Sequence, residues 1–289
     1  MKLTRNSVLV IATDIDGTLL DHDARLPFPA PEWRKAIQDL GARVAKCSVA
    51  FASSRTLDEL VVLQRALGMR GPCIAEDGAV LALDVDHATD ARLAHVPYDE
   101  VRTYGRRAMR TWTRAQRDVS LRATMRDVSA VQRADASQLG PAALSALGFR
   151  TAGAVRRALH ARHHSLLLDP TRLFGDEPDA IRVCAAARGL QLRRGGRWLT
   201  LADTTGKGTA LAMLRHFYEV CGVSPFIVAI GNEENDVSLL QKADLAFVIR
   251  NPARGPHPAL VAIPYAVVLD IEGPGGWMEM LNRLQECVR

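Results

Sequence analysis

The chain has 289 residues, 48% hydrophobic and 24% charged, with 37 Lys plus Arg against 32 Asp plus Glu for a formal net charge of +5. These are ordinary globular values, enough for one large domain or two modest ones, and the small positive excess by itself indicates no more than a taste for anions. No apolar run reaches the roughly 20 residues of a membrane span, and five scattered cysteines without a Cys-x-x-Cys pair argue for reduced thiols rather than a disulfide framework or zinc site.

The first element is a continuously apolar run, Val8-Leu9-Val10-Ile11-Ala12, which reads as a strand buried on both faces of a parallel sheet. It ends in Asp14-Ile15-Asp16-Gly17-Thr18, two carboxylates at the strand edge where open α/β sheets bind ligands. A short basic start leads directly into this strand, so no signal peptide and a cytoplasmic location are expected. A helix over 31–40 stops at Gly41, and a second apolar strand over 48–52 runs into Ser53-Ser54-Arg55-Thr56. Thr56 and Glu59 have capping-box spacing at the head of a helix over 56–67 that Gly68 ends. Strands over 73–75 and 79–83 flank the turn Glu76-Asp77-Gly78. This βαβαβ order predicts a parallel sheet wrapped by helices.

Between 84 and 201 the rhythm changes, with a long helix predicted over 97–117 and one late strand over 197–201. Arg102, Arg106, Arg110 and Arg114 would line one face of that helix, a solvated stripe among Asp99 and Glu100 rather than a nucleic-acid surface. His160, His163 and His164 lack a positioned carboxylate or fourth ligand for a transition metal. After Gly206-Lys207-Gly208-Thr209 the α/β pattern returns. An amphipathic helix carries Leu211, Leu214 and Tyr218, a strand over 226–230 ends in Gly231-Asn232-Glu233-Glu234-Asn235-Asp236, and a helix over 235–243 follows. Strands over 245–248 and 266–269 and a helix over 276–287 complete the chain. The expected fold is α/β: a Rossmann-like parallel-sheet core from 1–83 and 202–289, with an inserted α+β domain over 84–201.

Four stretches, at 14–18, 53–56, 206–209 and 231–236, fall at strand ends or a helix start, and in order and spacing they resemble the four motifs of the haloacid dehalogenase-like hydrolases, in the subclass (IIB) with the larger α/β cap. The resemblance implies a phosphatase in which Asp14 attacks phosphorus to form an aspartyl-phosphate. Asp16 would act as acid and then base, and Ser53 and Lys207 would bind the other phosphoryl oxygens. It also implies Mg²⁺ held by the Asp14 carboxylate, the Asp16 backbone carbonyl and Asp236. Asn232 stands where the family usually has Asp, and as an amide ligand it removes one negative charge, which Glu233 can offset. A P-loop reading of 206–209 fails because Leu201 and Gly208 occupy positions that need Gly and Ser or Thr.

Three further stretches resemble the mannosyl-3-phosphoglycerate phosphatases: "SSRTLDELVVLQRALGMRGPCIAEDGAVLAL", "RRGGRWLTLADTTGKGTAL" and "ARHHSLLLDP". In the last, Arg162 and Ser165 match an Arg-x-x-Ser-Glu-Pro segment, while Leu166 and Leu167 replace its Glu and Pro. The candidate substrate contacts are therefore Arg55, Arg162, Ser165, Arg194, Gly195, Gly196 and Arg197, with arginines suited to a substrate carboxylate. The implied partner is a small phosphorylated sugar or glycerate, without nucleic acid or membrane; oligomeric state is left open. Alternatives are another sugar-phosphate phosphatase or phosphomutase on the same core, or a catalytically weakened relative that binds a phosphorylated metabolite.

Overall fold

The computed structural model describes residues 3–21, 23, 25–26, 29–85, 96–113, 121, 125–146, 149, 151–195 and 198–288. In chain order, β1 (Val8–Thr13), α1 (Ala30–Gly41), β2 (Lys46–Ala52), α2 (Leu57–Leu67), β3 (Cys73–Ala75) and β4 (Val80–Asp84) follow the predicted alternation. Next come β5 (Glu100–Tyr104), β6 (Arg107–Thr113), the short helices α3 (Ser129–Ala134), α4 (Pro141–Ala146) and α5 (Ala152–Val155), then β7 (Ser165–Leu168), α6 (Glu177–Ala186), β8 (Leu190–Gly195) and β9 (Trp198–Asp203). The chain ends with α7 (Lys207–Val220), β10 (Pro225–Gly231), α8 (Val237–Gln241), β11 (Leu245–Arg250), α9 (Pro258–Val261), β12 (Ala266–Glu272) and α10 (Gly273–Cys287).

The strands form a nine-stranded sheet in the order β12-β11-β10-β1-β2-β3-β4-β6-β5 and a separate three-stranded sheet, β7-β9-β8. β1 lies between β10 and β2, both parallel to it, in a register that sets Thr13 beside Ile230 and Phe51. Chain direction along the sheet reverses at β1, so the residues following these three strands converge at one switch point. Successive β1 side chains alternate between two cores. Leu9 and Ile11 pack with Trp33 and Trp277 on one face, and Val10 and Ala12 pack with Leu211 and Leu214 on the other. Full burial of both faces accounts for the unbroken apolar run.

The helix predicted over 97–117 is instead, through Thr113, the hairpin β5–β6, which extends the large sheet antiparallel from β4. Gly105 at φ +66 supplies the left-handed turn residue between the paired Tyr104 and Arg107, a backbone state that breaks a helix and suits a two-residue hairpin. Arg107, Met109 and Thr111 are buried at a spacing of two. The Arg107 guanidinium is held inside by both Asp84 oxygens, the Gln64 side chain at 2.7 Å and the Gly71 carbonyl at 3.1 Å. Arg102 and Arg110 consequently sit on different strands and Arg106 in the turn, so no helical stripe forms; Arg114 lies outside the described residues. Residues 100–113 of the predicted insertion thus pair with the large sheet, while the small sheet, with its own core of Leu166, Leu168, Ile181, Leu192 and Leu201, belongs to the later part. β7 and β8 are strands absent from the sequence reading. Among the described residues, no helix is long and apolar enough to cross a membrane.

Candidate active site

The end of β1 is fixed from its own neighbours. Thr13 Oγ1 donates to the Asp14 carbonyl at 2.6 Å and accepts from Trp277 Nε1 at 2.9 Å, while the Asp14 N–H donates to the Ile230 carbonyl at 3.0 Å. Asp14 is thereby held at the sheet edge with its carboxylate beside Lys207, the first residue of α7, whose Nζ lies 2.6 Å from Asp14 Oδ1 and 2.7 Å from Asp236 Oδ1. Lys207 and Asp236 are fully buried. The other Asp236 oxygen accepts the N–H groups of Asn232 at 3.0 Å and Glu233 at 3.2 Å. This carboxylate folds back over Gly231, where a Cβ would fall 2.5 Å from Asp236 Cγ, so only glycine fits at the end of β10.

Two carboxylates around one ammonium leave the cluster negative. Burial, reinforced by the Asp236 charge, pushes the Asp14 carboxyl up to about 7, with Lys207 opposing the rise. Burial also works against the Lys207 charge, but Asp14 and Asp236 outweigh it and hold the ammonium above its ordinary range. Asn232 Oδ1 is buried and has no hydrogen-bond partner. Burying an unpaired acceptor is costly, which makes this oxygen a natural ligand for a hard cation. Among the described residues no three His, Cys, Asp or Glu side chains are grouped to hold a metal. A cation here would rest on two carboxylates, the Asn232 amide oxygen and backbone or water oxygens.

Asp16 stands at the mouth, gripped by Arg55 through Nε at 2.9 Å and Nη2 at 2.5 Å. Ser53 is buried, tied by its N–H to the Ile74 carbonyl and by its own carbonyl to the Asp77 N–H. Asp14, Asp16, Ser53 and Arg55, together with Asn232, line a cavity of about 570 Å³ that is also lined by Phe149, Arg157, Leu167 and Trp198 from the inserted part.

The candidate substrate contacts separate in space. Arg162 lines the cavity but is engaged internally: Nε donates to the Ala158 carbonyl at 2.9 Å, and Nη1 to the Ser54 carbonyl at 2.8 Å and Ser165 Oγ at 2.7 Å. Ser165 Oγ in turn donates to Glu76 at 2.7 Å and does not line the cavity. Arg194 is exposed on the β8 face that carries Leu190 and Leu192, whose side chains enter the small sheet's core, and it does not line the cavity either. Strand alternation is the reason, since Arg194 and Leu192 are two residues apart. Gly195 pairs with Trp198 at the end of β8, and Gly196 and Arg197 lie outside the described residues. The same alternation divides the two leucines of β7: Leu166 enters the small core and Leu167 faces the cavity.

Glu76 does more than form a turn. It is buried, with φ +48, and its carboxylate accepts the N–H groups of His163 at 3.1 Å and His164 at 2.9 Å besides the Ser165 hydroxyl. Asp77 follows at φ +56 and accepts from Asn235 Nδ2 at 3.1 Å. Two successive non-glycine residues in the left-handed region store strain that the surrounding contacts must offset. The sequence signal is an acidic pair before a glycine, inside the stretch that resembles the mannosyl-3-phosphoglycerate phosphatases and in place of their usual Glu-Asn-Gly; by its residue types alone it is indistinguishable from an ordinary turn.

Residues 11–102 match the family model of haloacid dehalogenase-like hydrolases. The chain is 25% identical over 271 residues to a glucosyl-3-phosphoglycerate/mannosyl-3-phosphoglycerate phosphatase of Methanococcoides burtonii, covering 93% of this chain and 94% of that protein. Among solved structures, one from Thermoplasma acidophilum superposes with a TM-score of 0.65 at 18% identity, covering 97% of this chain and 99% of that one. The sucrose-phosphatase of Synechocystis sp. PCC6803, in complex with sucrose and phosphate, gives 0.57 at 16% identity, covering 96% and 98%.

Proposed function

We propose that this chain is a haloacid dehalogenase-like hydrolase and a phosphomonoesterase working through an aspartyl-phosphate on Asp14, with a glycosyl-3-phosphoglycerate as substrate. The observation that carries the reading is the convergence of Asp14, Asp16 and Ser53 on one cavity with Lys207 and Asp236 directly behind Asp14. Residues 1–83 and 202–289 act as the catalytic core and the segment between them supplies the cap, apart from the hairpin 100–113 that joins the core sheet.

The Asp14 carboxylate attacks phosphorus as the ester P–O bond breaks, and the departing alkoxide takes a proton from Asp16. Water then gives a proton to Asp16 and attacks the same phosphorus, releasing phosphate and restoring the Asp14 carboxylate. Arg55 donates to both Asp16 oxygens, which orients Asp16 and favours its ionised, proton-accepting form, so Asp16 carries a proton for the acid step only when this pairing loosens. Ser53 and Lys207 bind the non-transferred oxygens, where charge spreads in the transition state. Asp14, Asp236, Asn232 Oδ1 and the Asp16 carbonyl would hold Mg²⁺, which supplies charge neutralisation for the phosphoryl group.

The full-length similarity to a glucosyl/mannosyl-3-phosphoglycerate phosphatase and the arginine-bearing cavity wall support the substrate class. The test is a phosphate-release screen with Mg²⁺ across glycosyl-3-phosphoglycerates, hexose phosphates and nucleotides. Glycosyl-3-phosphoglycerates should lead, and Asp14→Asn should abolish release while retaining the fold by circular dichroism. Turnover by that variant at the wild-type rate refutes the nucleophile; preference for hexose phosphates refutes the substrate class and leaves the mechanism standing.

A further inference from the structure

We infer that Arg157, with the aromatic pair Phe149 and Trp198, forms the subsite that selects the leaving group: the guanidinium takes the glycerate carboxylate and the aromatic wall takes one face of the sugar ring. The inference rests on the substrate class proposed above and assigns it to residues absent from the motif-derived set.

Of the three arginines of the inserted part that the sequence offers for the carboxylate, Arg197 lies outside the described residues and packing removes the other two. Arg162 is 6% exposed and its guanidinium is occupied by two carbonyls and the Ser165 hydroxyl. Arg194 does not line the cavity. Arg157 does line it, is half-buried, and has no carboxylate partner among the described residues. The Arg157 guanidinium rests beside Gly153, one turn back, and a half-buried arginine on a cavity wall without a carboxylate partner is suited to bidentate capture of a carboxylate.

Its position is set by the backbone. Residues Arg156–His160 widen into a π-helical turn, an irregularity often found at functional sites. The carbonyl of Arg157 accepts from Thr56 Oγ1 at 2.7 Å, and Thr56 is the N-cap of α2, three residues after Ser53. The strand-end loop that carries Ser53 therefore also anchors the turn that brings Arg157 to the cavity.

The apolar wall lies beside it. Phe149 and Trp198 have ring centroids 5.7 Å apart at 34° and pack on a small cluster that includes Ala158, Leu159 and Leu167. Both rings and Leu167 line the cavity. A pyranose ring presents C–H groups on its face and hydroxyls at its rim, so an apolar aromatic surface binds the face while water or polar groups serve the rim.

The test compares three substrates: a glycosyl-3-phosphoglycerate, free 3-phosphoglycerate, and the matching glycosyl glycerol phosphate, which lacks the carboxylate. Arg157→Gln should raise KM about tenfold for the two carboxylates, with kcat changed far less, the loss expected for one charge-assisted contact. It should barely move KM for the carboxylate-free ester, and Arg157→Lys should recover part of the loss. Trp198→Leu, which keeps an apolar side chain in the cap, should raise KM for both glycosylated esters and spare free 3-phosphoglycerate. Equal effects of Arg157→Gln on all three substrates, or none on any, overturn the inference while wild-type preference for the carboxylates upholds the proposed substrate class. Wild-type preference for carboxylate-free esters overturns both.

Discussion

At the scale of single residues, the consequential departure from the pattern of the haloacid dehalogenase-like hydrolases that the chain resembles is Asn232. Its amide oxygen is buried without a partner, and its backbone N–H helps to hold Asp236. An aspartate there would add a third carboxylate beside Asp14 and Asp236, unfavourable without a cation and favourable with one. Asn232→Asp should therefore lower the metal-free melting temperature, enlarge its rise on adding Mg²⁺, and reduce the Mg²⁺ concentration for half-maximal activity. An unchanged Mg²⁺-dependent melting shift would place position 232 outside the ligand set.

Among elements, the turn 76–78 governs how the inserted part seats on the core. Glu76 offers one carboxylate to three donors on residues 163–165, and Thr56 adds a fourth polar link to the π-helical turn. Glu76→Ala removes the acceptor and leaves the buried Ser165 hydroxyl and two N–H groups to find other partners, at about 1–3 kcal/mol for each group left unsatisfied. The expected outcome is faster amide exchange at 163–165 and faster proteolysis between the two sheets, with β1 and β10 still protected. Unchanged exchange at 163–165 would show that the other contacts suffice.

For the whole molecule, the buried acidic cluster links stability to pH. Asp14 titrates near 3.8 when unfolded and is raised to about 7 in the folded chain. Between those values the folded state holds a proton the unfolded chain has released, so stability falls as pH rises through the window and levels off above it. In EDTA, the urea-unfolding free energy of the wild type should decline relative to Asp14→Asn between about pH 4 and pH 7, a window set by this linkage. Mg²⁺ should offset the decline, because a cation that binds only the folded state with Asp14 ionised stabilises it. Parallel pH profiles in the two proteins would show that Asp14 does not carry the linkage.

Much of this protein is decided by local sequence. The β1 run, the Thr56–Glu59 capping box and the left-handed Gly68 that closes α2 all stand where the sequence predicts them, because burial on two faces, cap hydrogen bonds and steric freedom depend on neighbours in the chain. The catalytic candidates were legible for a related reason: each follows directly from a strand or opens a helix, and parallel packing brings those ends together whatever the details of the inserted part. Tertiary structure alone decided the rest. The hairpin at 100–113 replaced a helix because burial of Arg107 depends on Asp84 and Gln64, which lie far away in sequence. Which arginines line the cavity, and which of them are already engaged, depended on strand alternation in β8 and on the contacts that occupy Arg162, while Arg157 gains its place from a turn docked on Thr56. A side chain's charge is written in the sequence, but its direction and the groups already bonded to it are properties of the packed molecule.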